Sequence, residues 1–433
     1  MNQRQQTTDA EPSDEGDARS RSASRRQFIQ RSGILAAASV VGGAKASPAP
    51  AVRIQGSDAP EKKDLRVGFM PLTDCASVVI ASTEGFDRRH GIKITPVKET
   101  SWAAVRDKLI TGELDAAHCL YGLIYGVQMG IGGIRRDMAV LMTLNRNGQG
   151  ITLASQLRES GVSDGAGLRA LVAKKQRDFT FAQTFPTGTH AMWLNYWLAA
   201  HGIDPLRDVK ILTVPPPQMA EHLKSGRIDG CCVGEPWNAQ AARDGAGFTA
   251  ATSQQIWPDN PEKVLGASAE FVERNPNSAR ALVGALLEAA RYADVDANRG
   301  HVARTLADSA FVGADVEVIE PRLCGRYDDG RGNSWQDADA VKFFGAGEVT
   351  FPWLSDGMWF LTQQRRWGLL KSDPDYLGMA RKVNRIDVYG EAAAQLGISV
   401  PAQPMRASTL MDGAAWSGSD PARYAGSFDI RAA

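Results

Sequence analysis

The chain has 433 residues, enough for two or more domains with complete hydrophobic cores. Its 49 basic and 49 acidic residues balance and no block of like charge occurs, which argues against a nucleic acid or an anionic membrane surface as the partner. The five cysteines show neither a CxxC pair nor a Cys/His spacing, so the sequence predicts neither a metal site nor a disulfide scaffold.

The N-terminal segment has the order of an export signal. A polar stretch over residues 1–23 is followed by the paired Arg25 and Arg26, by a weakly apolar run over 33–43, and by the small-x-small pattern Ala44-Lys45-Ala46. We therefore predict a twin-arginine signal peptide with a disordered N-terminal extension over residues 1–46, and a mature protein in the periplasm. The alternative is a basic tail beside a chance alanine-rich run.

After a linker over residues 47–64, the pattern alternates between strands and helices. Ser101 is a candidate N-cap for a helix whose apolar positions Trp102, Val105 and Leu109 share one face. The predicted elements are a strand over 65–72, a helix over 78–90, a strand over 92–97, a helix over 102–111 and a strand over 114–119.

The same order then occurs a second time. DKLITGELDAAH, residues 107–118, resembles EHLKSGRIDGCC, residues 221–232, and both read as a helix end, a glycine and a short buried strand. The second set of predicted elements is a strand over 179–185, a helix over 191–201, a strand over 209–214, a helix over 217–225 and a strand over 228–233.

This duplicated pattern predicts an α/β protein with two similar lobes, each built on a sheet with a parallel core. Such lobes close on a ligand between them in two-lobed periplasmic binding proteins of type II, the Venus-flytrap arrangement. We expect the first part of lobe 1 over residues 65–147, lobe 2 over 148–260, and a return to lobe 1 with a helical C-terminal wrap over 261–433.

Candidate ligand contacts lie where strands meet helices and where the chain crosses between the lobes. They are Trp102, Gln149, His190 and Lys263. An indole, an amide, an imidazole and an ammonium group, together with helix N-termini, are rich in donors and suit a small anion with acceptor oxygens only. Each also has an ordinary structural interpretation, as a core tryptophan, a turn residue, a first-turn residue or a surface charge. No GxSxG, P-loop, HExxH or strand-linked GxGxxG motif occurs, so we expect no enzyme activity.

The same segments resemble the nitrate-binding proteins of bacterial ABC importers, over about residues 62 to 430. Each segment is short, but all occur together in that family's order. They are residues 101–109 (SWAAVRDKL), 147–152 (NGQGIT), 234–237 (GEPW), 261–266 (PEKVLG), 385–389 (RIDVY) and 408–413 (STLMDG).

The resemblance implies a monomeric binding protein without a cofactor that captures nitrate, with nitrite as a second ligand. It implies delivery to the membrane permease of an ABC importer and its ATPase, for nitrate assimilation. In that family, residues matching Trp102, Gln149, His190 and Lys263 surround the anion. Bicarbonate-binding relatives depart at the amide and lysine positions, both of which are present here. Residues 118–126 differ from the family pattern, so the resemblance assigns no contact there.

Several alternatives remain at this stage. A bicarbonate-binding protein of the same family is one, and some such relatives use a metal co-ligand. A cytoplasmic nitrate or nitrite sensor of the same fold would lack the export signal, and a sulfonate or taurine binder would need an apolar slot beside the anion. A pyrimidine-synthesising enzyme of the same fold would need converging histidines and cysteines. A site of donors alone disfavours bicarbonate, because it leaves the bicarbonate O–H unpaired at a cost of ~1–3 kcal/mol.

Overall fold

The computed structural model describes residues 58–432, so the predicted signal with Arg25 and Arg26 lies outside the described part of the chain. The strands are β1 (Asp64–Phe69), β2 (Lys93–Lys98), β3 (Ala116–Leu120), β4 (Met138–Thr143), β5 (Gln149–Ala154), β6 (Thr180–Gln183), β7 (Lys210–Thr213), β8 (Gly230–Gly234), β9 (Gly247–Thr252), β10 (Lys263–Ser268), β11 (Arg326–Asp328), β12 (Ser334–Gln336), β13 (Ser408–Thr409) and β14 (Ala415–Trp416).

Helices cover both sheets and make up most of the C-terminal part. They are α1 (Ala76–Thr83), α2 (Phe86–Arg89), α3 (Trp102–Thr111), α4 (Tyr121–Met129), α5 (Gln156–Glu159), α6 (Gly165–Val172), α7 (Thr189–Ala200), α8 (Met219–Lys224), α9 (Trp237–Arg243), α10 (Ser253–Ile256), α11 (Ala269–Arg274), α12 (Pro276–Ala293), α13 (Asp296–Ala307), α14 (Val316–Leu323), α15 (Leu354–Arg366), α16 (Tyr376–Val383), α17 (Ile386–Gln395) and α18 (Pro421–Gly426). In residues 58–432, no helix combines the length and the apolar character needed to cross a membrane.

Two five-stranded sheets have the same plan. The first has the order β2-β1-β3-β10-β4 and the second the order β7-β6-β8-β5-β9. In each sheet the first three strands run parallel, and the fourth is antiparallel to both of its neighbours. The predicted α/β class with parallel-core sheets is confirmed, and the antiparallel strands are those that follow the two crossovers of the chain.

The crossovers connect the first sheet to the second and back. The chain leaves the first sheet after β4, enters the second at β5, and returns from β9 to β10. Asn147 and Asn260 join the two crossovers, since Asn260 donates its backbone N–H and its amide to the Asn147 side chain at 3.1 and 3.0 Å. The division of the chain into lobes at the expected residue bounds stays a prediction.

Helix α3 shows why the sequence was informative in the first half. Ser101 accepts a hydrogen bond from the Ala104 N–H at 3.1 Å, and Gly112 ends the helix in the left-handed conformation at φ 75°. Gly226, the matching glycine of the second unit, has φ 70°. Because glycine adopts this conformation without steric cost, both helices turn directly into a buried strand.

The helical C-terminal region packs on the first half, with α12 against α1, and it also contacts elements of the second. The indole of Trp359 in α15 lies 4.9 Å from that of Trp193 in α7 and 5.0 Å from that of Trp257, measured between ring centroids. Arg406 donates to the Asp259 carbonyl at 2.9 Å and to the buried Asp356 at 2.7 Å. The C-terminal region therefore binds the return crossover as well as the first sheet.

Candidate functional site

A buried polar cluster lies between the facing ends of the two sheets. We call it the central cluster. From the first half it contains a carboxylate after β1, an indole at the start of α3, an imidazole in β3, and a Glu-Lys pair at the start of β10. The second half contributes an amide at the start of β5 and an imidazole in α7. Its members are Asp74, Trp102, His118, Glu262, Lys263, Gln149 and His190.

Asp74 is the acceptor on which most of the cluster converges. Its Oδ1 accepts from Nε2 of His118 at 2.7 Å. Its Oδ2 accepts from Nε2 of Gln149 at 3.0 Å and from Nζ of Lys263 at 2.7 Å. Asp74 therefore links a first-half imidazole to a second-half amide.

Gln149 and His190 form a chain on the second-half side. Oε1 of Gln149 accepts from Nε2 of His190 at 2.7 Å, and Nδ1 of His190 lies 2.6 Å from Oγ1 of Thr184. Since a carbonyl oxygen only accepts, His190 carries its proton on Nε2, and the Thr184 hydroxyl donates to Nδ1.

Glu262 connects the lysine to the second half. Its Oε1 accepts from Nζ of Lys263 at 2.8 Å, and its Oε2 accepts from the indole N–H of Trp193 at 2.8 Å. Nε2 of His190 lies 3.6 Å from Oε1 of Glu262. Both Glu262 and Lys263 are fully buried, so these contacts are made without water competing.

Trp102 contributes a donor that nothing satisfies. The side chain is 1% exposed, and its Nε1 has no hydrogen-bond partner in the described structure. Its ring lies 5.7 Å from that of His118 between centroids, and Nζ of Lys263 lies 5.8 Å from its ring centroid. A buried indole N–H without an acceptor is costly in a binding protein unless a ligand supplies one.

The charges of the cluster support one another. Burial alone would raise the pKa of Asp74, but the charge of Lys263 and the contact with His118 lower it below its usual range. Burial lowers the pKa of Lys263, and the charges of Asp74 and Glu262 more than reverse this, so the ammonium group is held charged. Burial raises the pKa of Glu262, against the lowering effect of Lys263.

The two imidazoles are held neutral. Burial lowers the pKa of His118, although Asp74 opposes this, and burial together with the Lys263 charge lowers the pKa of His190 well below its usual value. Nδ1 of His118 faces the backbone N–H of Met70 at 3.5 Å, which fits a lone pair rather than a proton at that nitrogen.

The structure brings all the predicted site residues into this one cluster. Trp102, Gln149 and Lys263 retain hydrogens that no neighbour accepts, whereas both ring nitrogens of His190 already have partners. The direct contact of His190 with a ligand stays a prediction, and in this structure His190 holds Gln149.

Sequence reasoning missed the carboxylates Asp74 and Glu262 and the imidazole of His118, so the expectation of a site of donors alone is incomplete. Asp74 follows β1 at the carboxyl end of a strand, which is a position typical of ligand contacts in α/β sheets. Glu262 directly precedes Lys263 in the sequence. These two sequence positions were the signals that could have indicated the carboxylates.

The groups left over after these contacts are donors. The Lys263 ammonium has three hydrogens and donates to two carboxylates, and the Gln149 amide nitrogen has two hydrogens and one acceptor. The indole N–H of Trp102 has none. Each carboxylate oxygen of the cluster already accepts at least one hydrogen bond, whereas these three groups keep unused hydrogens for an entering anion.

Further contacts join the halves beside the cluster. The indole N–H of Trp237, in the second half, donates to the Pro71 carbonyl at 2.8 Å. The backbone N–H of Thr73 donates to the Glu235 carbonyl at 2.8 Å. Both contacts fall on the loop that carries Asp74, so the position of this loop depends on how the second half sits against it.

Known proteins share the sequence and the fold. Residues 58–307 match the NMT1-like family. The chain is 36% identical to the nitrate/nitrite binding protein NrtA of Synechococcus elongatus, over 93% of this chain and 97% of that protein. It is 30% identical to the bicarbonate-binding protein CmpA of a Synechococcus strain, over 86% of this chain and 88% of that protein. The crystal structure of the periplasmic nitrate-binding protein NrtA from Synechocystis superimposes with a TM-score of 0.83 at 35% identity, over 86% of this chain and 100% of that one.

Two α/β halves that enclose a buried polar cluster define a two-lobed ligand-binding protein. Within that class, the chain belongs to the NrtA family of nitrate/nitrite-binding proteins, to which the bicarbonate-binding CmpA is also related.

Proposed function

We propose that the protein captures nitrate, with nitrite as a second ligand, in the periplasm and delivers it to the permease of an ABC importer for nitrate assimilation. The proposal is supported by the identity to NrtA proteins over nearly the whole chain and by the donors that remain in the central cluster. It needs no cofactor, and its partners are the anion, the permease and the permease's ATPase, with the binding protein itself a monomer.

The residues of the cluster have distinct roles in this proposal. Lys263 supplies the positive charge and its third N–H, while Gln149 donates its second amide N–H to an oxygen of the anion. Trp102 donates its indole N–H, and His190 keeps the amide of Gln149 in place. Three donors suit an anion whose oxygens are acceptors and carry no proton.

The observation that carries the proposal is the indole N–H of Trp102, buried and without an acceptor. A carboxylate or a backbone carbonyl placed there would have made the tryptophan an ordinary core residue. Its position near the Lys263 ammonium favours an anion as the missing acceptor.

A calorimetric titration of anion-free protein in chloride-free buffer tests the proposal, with nitrate, nitrite, bicarbonate and taurine added in turn. We expect micromolar or tighter binding of nitrate, weaker or equal binding of nitrite, and none of taurine. Lys263→Ala should weaken nitrate binding at least tenfold, whereas Lys342→Ala, beside the return crossover, should leave it unchanged. No heat with nitrate or nitrite in the folded wild-type protein would contradict the proposal.

Bicarbonate is the second candidate ligand, because the cluster contains the acceptors Asp74 and Glu262 as well as donors. A rearrangement that freed a carboxylate oxygen could pair the bicarbonate O–H. Binding of bicarbonate alone in the same titration would move the protein to that branch of the family.

The export route is a separate part of the proposal. The twin-arginine motif at Arg25 and Arg26 is expected to carry the folded protein across the inner membrane, where it associates with the permease. Replacing both arginines with lysine should leave the protein in the cytoplasm in a cell-fractionation experiment. Unchanged periplasmic recovery would show that another route is used.

A further inference from the structure

Gln149 provides the side-chain amide of the central cluster, and an amide can offer a ligand either a donor or an acceptor. Its amide has an oxygen on one side and an NH₂ group on the other, and a half-turn exchanges them. The orientation of this amide therefore decides whether the site favours an oxyanion without a proton or one that carries a proton. Its two neighbours, Asp74 and His190, determine that orientation.

Of these two neighbours, only Asp74 restricts the Gln149 amide to one orientation. An ionised carboxylate accepts and never donates, so Gln149 must direct its nitrogen toward Asp74. His190 could serve either orientation, because the Thr184 hydroxyl beside its Nδ1 can donate or accept. The protonation of the His190 ring nitrogens therefore adjusts to the orientation of the Gln149 amide, and Asp74 determines that orientation.

Asp74 is itself fixed by His118. Nε2 of His118 donates to Oδ1 of Asp74, which leaves Oδ2 for Gln149 and Lys263. The backbone N–H of Met70 faces Nδ1 of His118, so the proton of the neutral ring lies on the nitrogen that faces Asp74. Asp74 and His118 are 3% and 0% exposed, so water does not substitute for either contact.

We propose that Asp74, oriented by His118, is a specificity-determining positioning residue: it holds the Gln149 amide as a donor and so selects an oxyanion without a proton over a protonated one of the same shape. This inference rests on the proposed function. Nitrate and bicarbonate are the relevant pair, since both are planar monoanions with three oxygens and only bicarbonate carries a proton.

The matched variants Asp74→Asn and Glu262→Gln test the proposal. Each variant converts a buried carboxylate that contacts Lys263 into the corresponding amide. Of the two carboxylates, only that of Asp74 contacts Gln149. Both ligands are monoanions, so the change in protein charge alters both affinities by the same factor. The ratio of nitrate to bicarbonate affinity therefore reports the orientation of the Gln149 amide. In D74N, the side chain at position 74 has one oxygen instead of two and gains an NH₂ group that needs an acceptor. If the Gln149 amide turns by half a turn, its oxygen provides that acceptor.

Calorimetric titrations with nitrate and with bicarbonate, in a mildly alkaline sealed cell, give the ratio. We expect D74N to lower the nitrate-over-bicarbonate ratio at least tenfold, and E262Q to keep it within about twofold of the wild-type value while both affinities change together. Equal ratios in D74N and E262Q would overturn the inference. Wild-type protein that fails to bind nitrate would contradict the proposed function instead, so the two failures are distinct.

A second pair keeps the inference testable if D74N does not fold. His118→Leu removes the donor to Asp74 and leaves every charge in place, whereas His118→Gln can still donate from a similar position. H118L should lower the ratio at least fivefold and H118Q should restore most of it. If both variants keep the wild-type ratio, His118 does not act through Asp74 and the inference is wrong.

Discussion

The two halves of the protein bring different chemistry to the same cluster. The first half contributes the charged residues Asp74, Glu262 and Lys263. The Lys263 ammonium contacts both carboxylates. The second half contributes Gln149, His190 and the Trp193 indole, all of which are neutral. The halves share a fold plan but not an electrostatic role.

This difference bears on the hinge motion expected of two-lobed binding proteins, in which the halves separate to admit a ligand. Because both carboxylates contact the Lys263 ammonium within the first half, separation of the second half breaks their hydrogen bonds to neutral groups and leaves these two ion contacts in place. Stranding a buried charge costs several kcal/mol, about 3–5 when one partner of a buried pair is removed. The arrangement therefore allows the second half to act as a neutral lid on a charged base.

Removing the ammonium group of the central cluster gives the largest expected effect. Lys263→Met leaves Asp74 and Glu262 buried without a cation and should lower the free energy of unfolding by about 3–5 kcal/mol. Gln149→Met, on the lid side, removes one neutral partner of Asp74 and should cost about 1–3 kcal/mol. Urea denaturation of both variants measures the difference. Equal losses would show that the charged side is no more critical than the neutral one.

The hydrogen bond between Trp193 and Glu262, which joins the two halves, comes next. Trp193→Phe keeps an aromatic ring but removes the N–H donated to the Glu262 carboxylate, and loss of that hydrogen bond should cost about 1.5–3 kcal/mol. Trp359→Phe is the matched control, because that indole donates to the neutral Tyr424 hydroxyl at 3.3 Å. Thermal denaturation at constant pH compares them. A larger loss in the control would place the stabilisation in the aromatic packing rather than in the contact with Glu262.

The pH dependence of stability separates the two imidazoles. Since the pKa values of His118 and His190 are lowered from 6.5, the unfolded chain binds more protons than the folded one below about pH 6.5, and stability falls as the pH falls. Each histidine contributes at most about 1.4 kcal/mol per pH unit, and the raised pKa of Glu262 acts in the opposite direction.

Because the pKa of His190 is lowered further, His190→Gln should flatten this slope over a wider pH range than His118→Gln. Denaturant titrations between neutral pH and about pH 5 measure the slopes. If both variants keep the wild-type slope, the imidazoles are not held neutral.

The smallest expected effect concerns the loop beside Asp74. Trp237→Phe removes a neutral hydrogen bond to the Pro71 carbonyl and should cost about 0.5–1.5 kcal/mol while accelerating nitrate release by severalfold. Trp353→Phe removes a comparable bond to the Glu348 carbonyl within the C-terminal region and should leave the release rate unchanged. Stopped-flow displacement of nitrate distinguishes the two. Equal release rates in the two variants would show that the hydrogen bond to Pro71 does not affect the movement of the second half.

Local signals made much of the fold predictable. Ser101 and Gly112 gave the bounds of α3 as found, and the repeated helix-glycine-strand unit located the two sheets. The predicted helix over 217–225 instead begins as a 3-10 turn at Pro216–Gln218 before α8, because the prolines remove backbone donors there.

The site was predictable only on its donor side. Trp102, Gln149, His190 and Lys263 were recognisable from their segments, but Asp74 meets its partners across 44, 75 and 189 positions of sequence. No periodicity or spacing reports a contact of that range. The acceptor that organises the cluster is therefore evident only in the folded structure.

The packing of Trp193, Trp257 and Trp359 has an optical consequence. Their ring centroids lie 4.9, 5.0 and 5.9 Å apart, close enough for the indole transitions to couple and to produce a couplet in the circular dichroism spectrum. One of these rings belongs to the lid, one to the return crossover and one to the C-terminal region, and the lid indole donates to Glu262. The protein thus contains an intrinsic, label-free reporter whose signal should change whenever the lid shifts on its base.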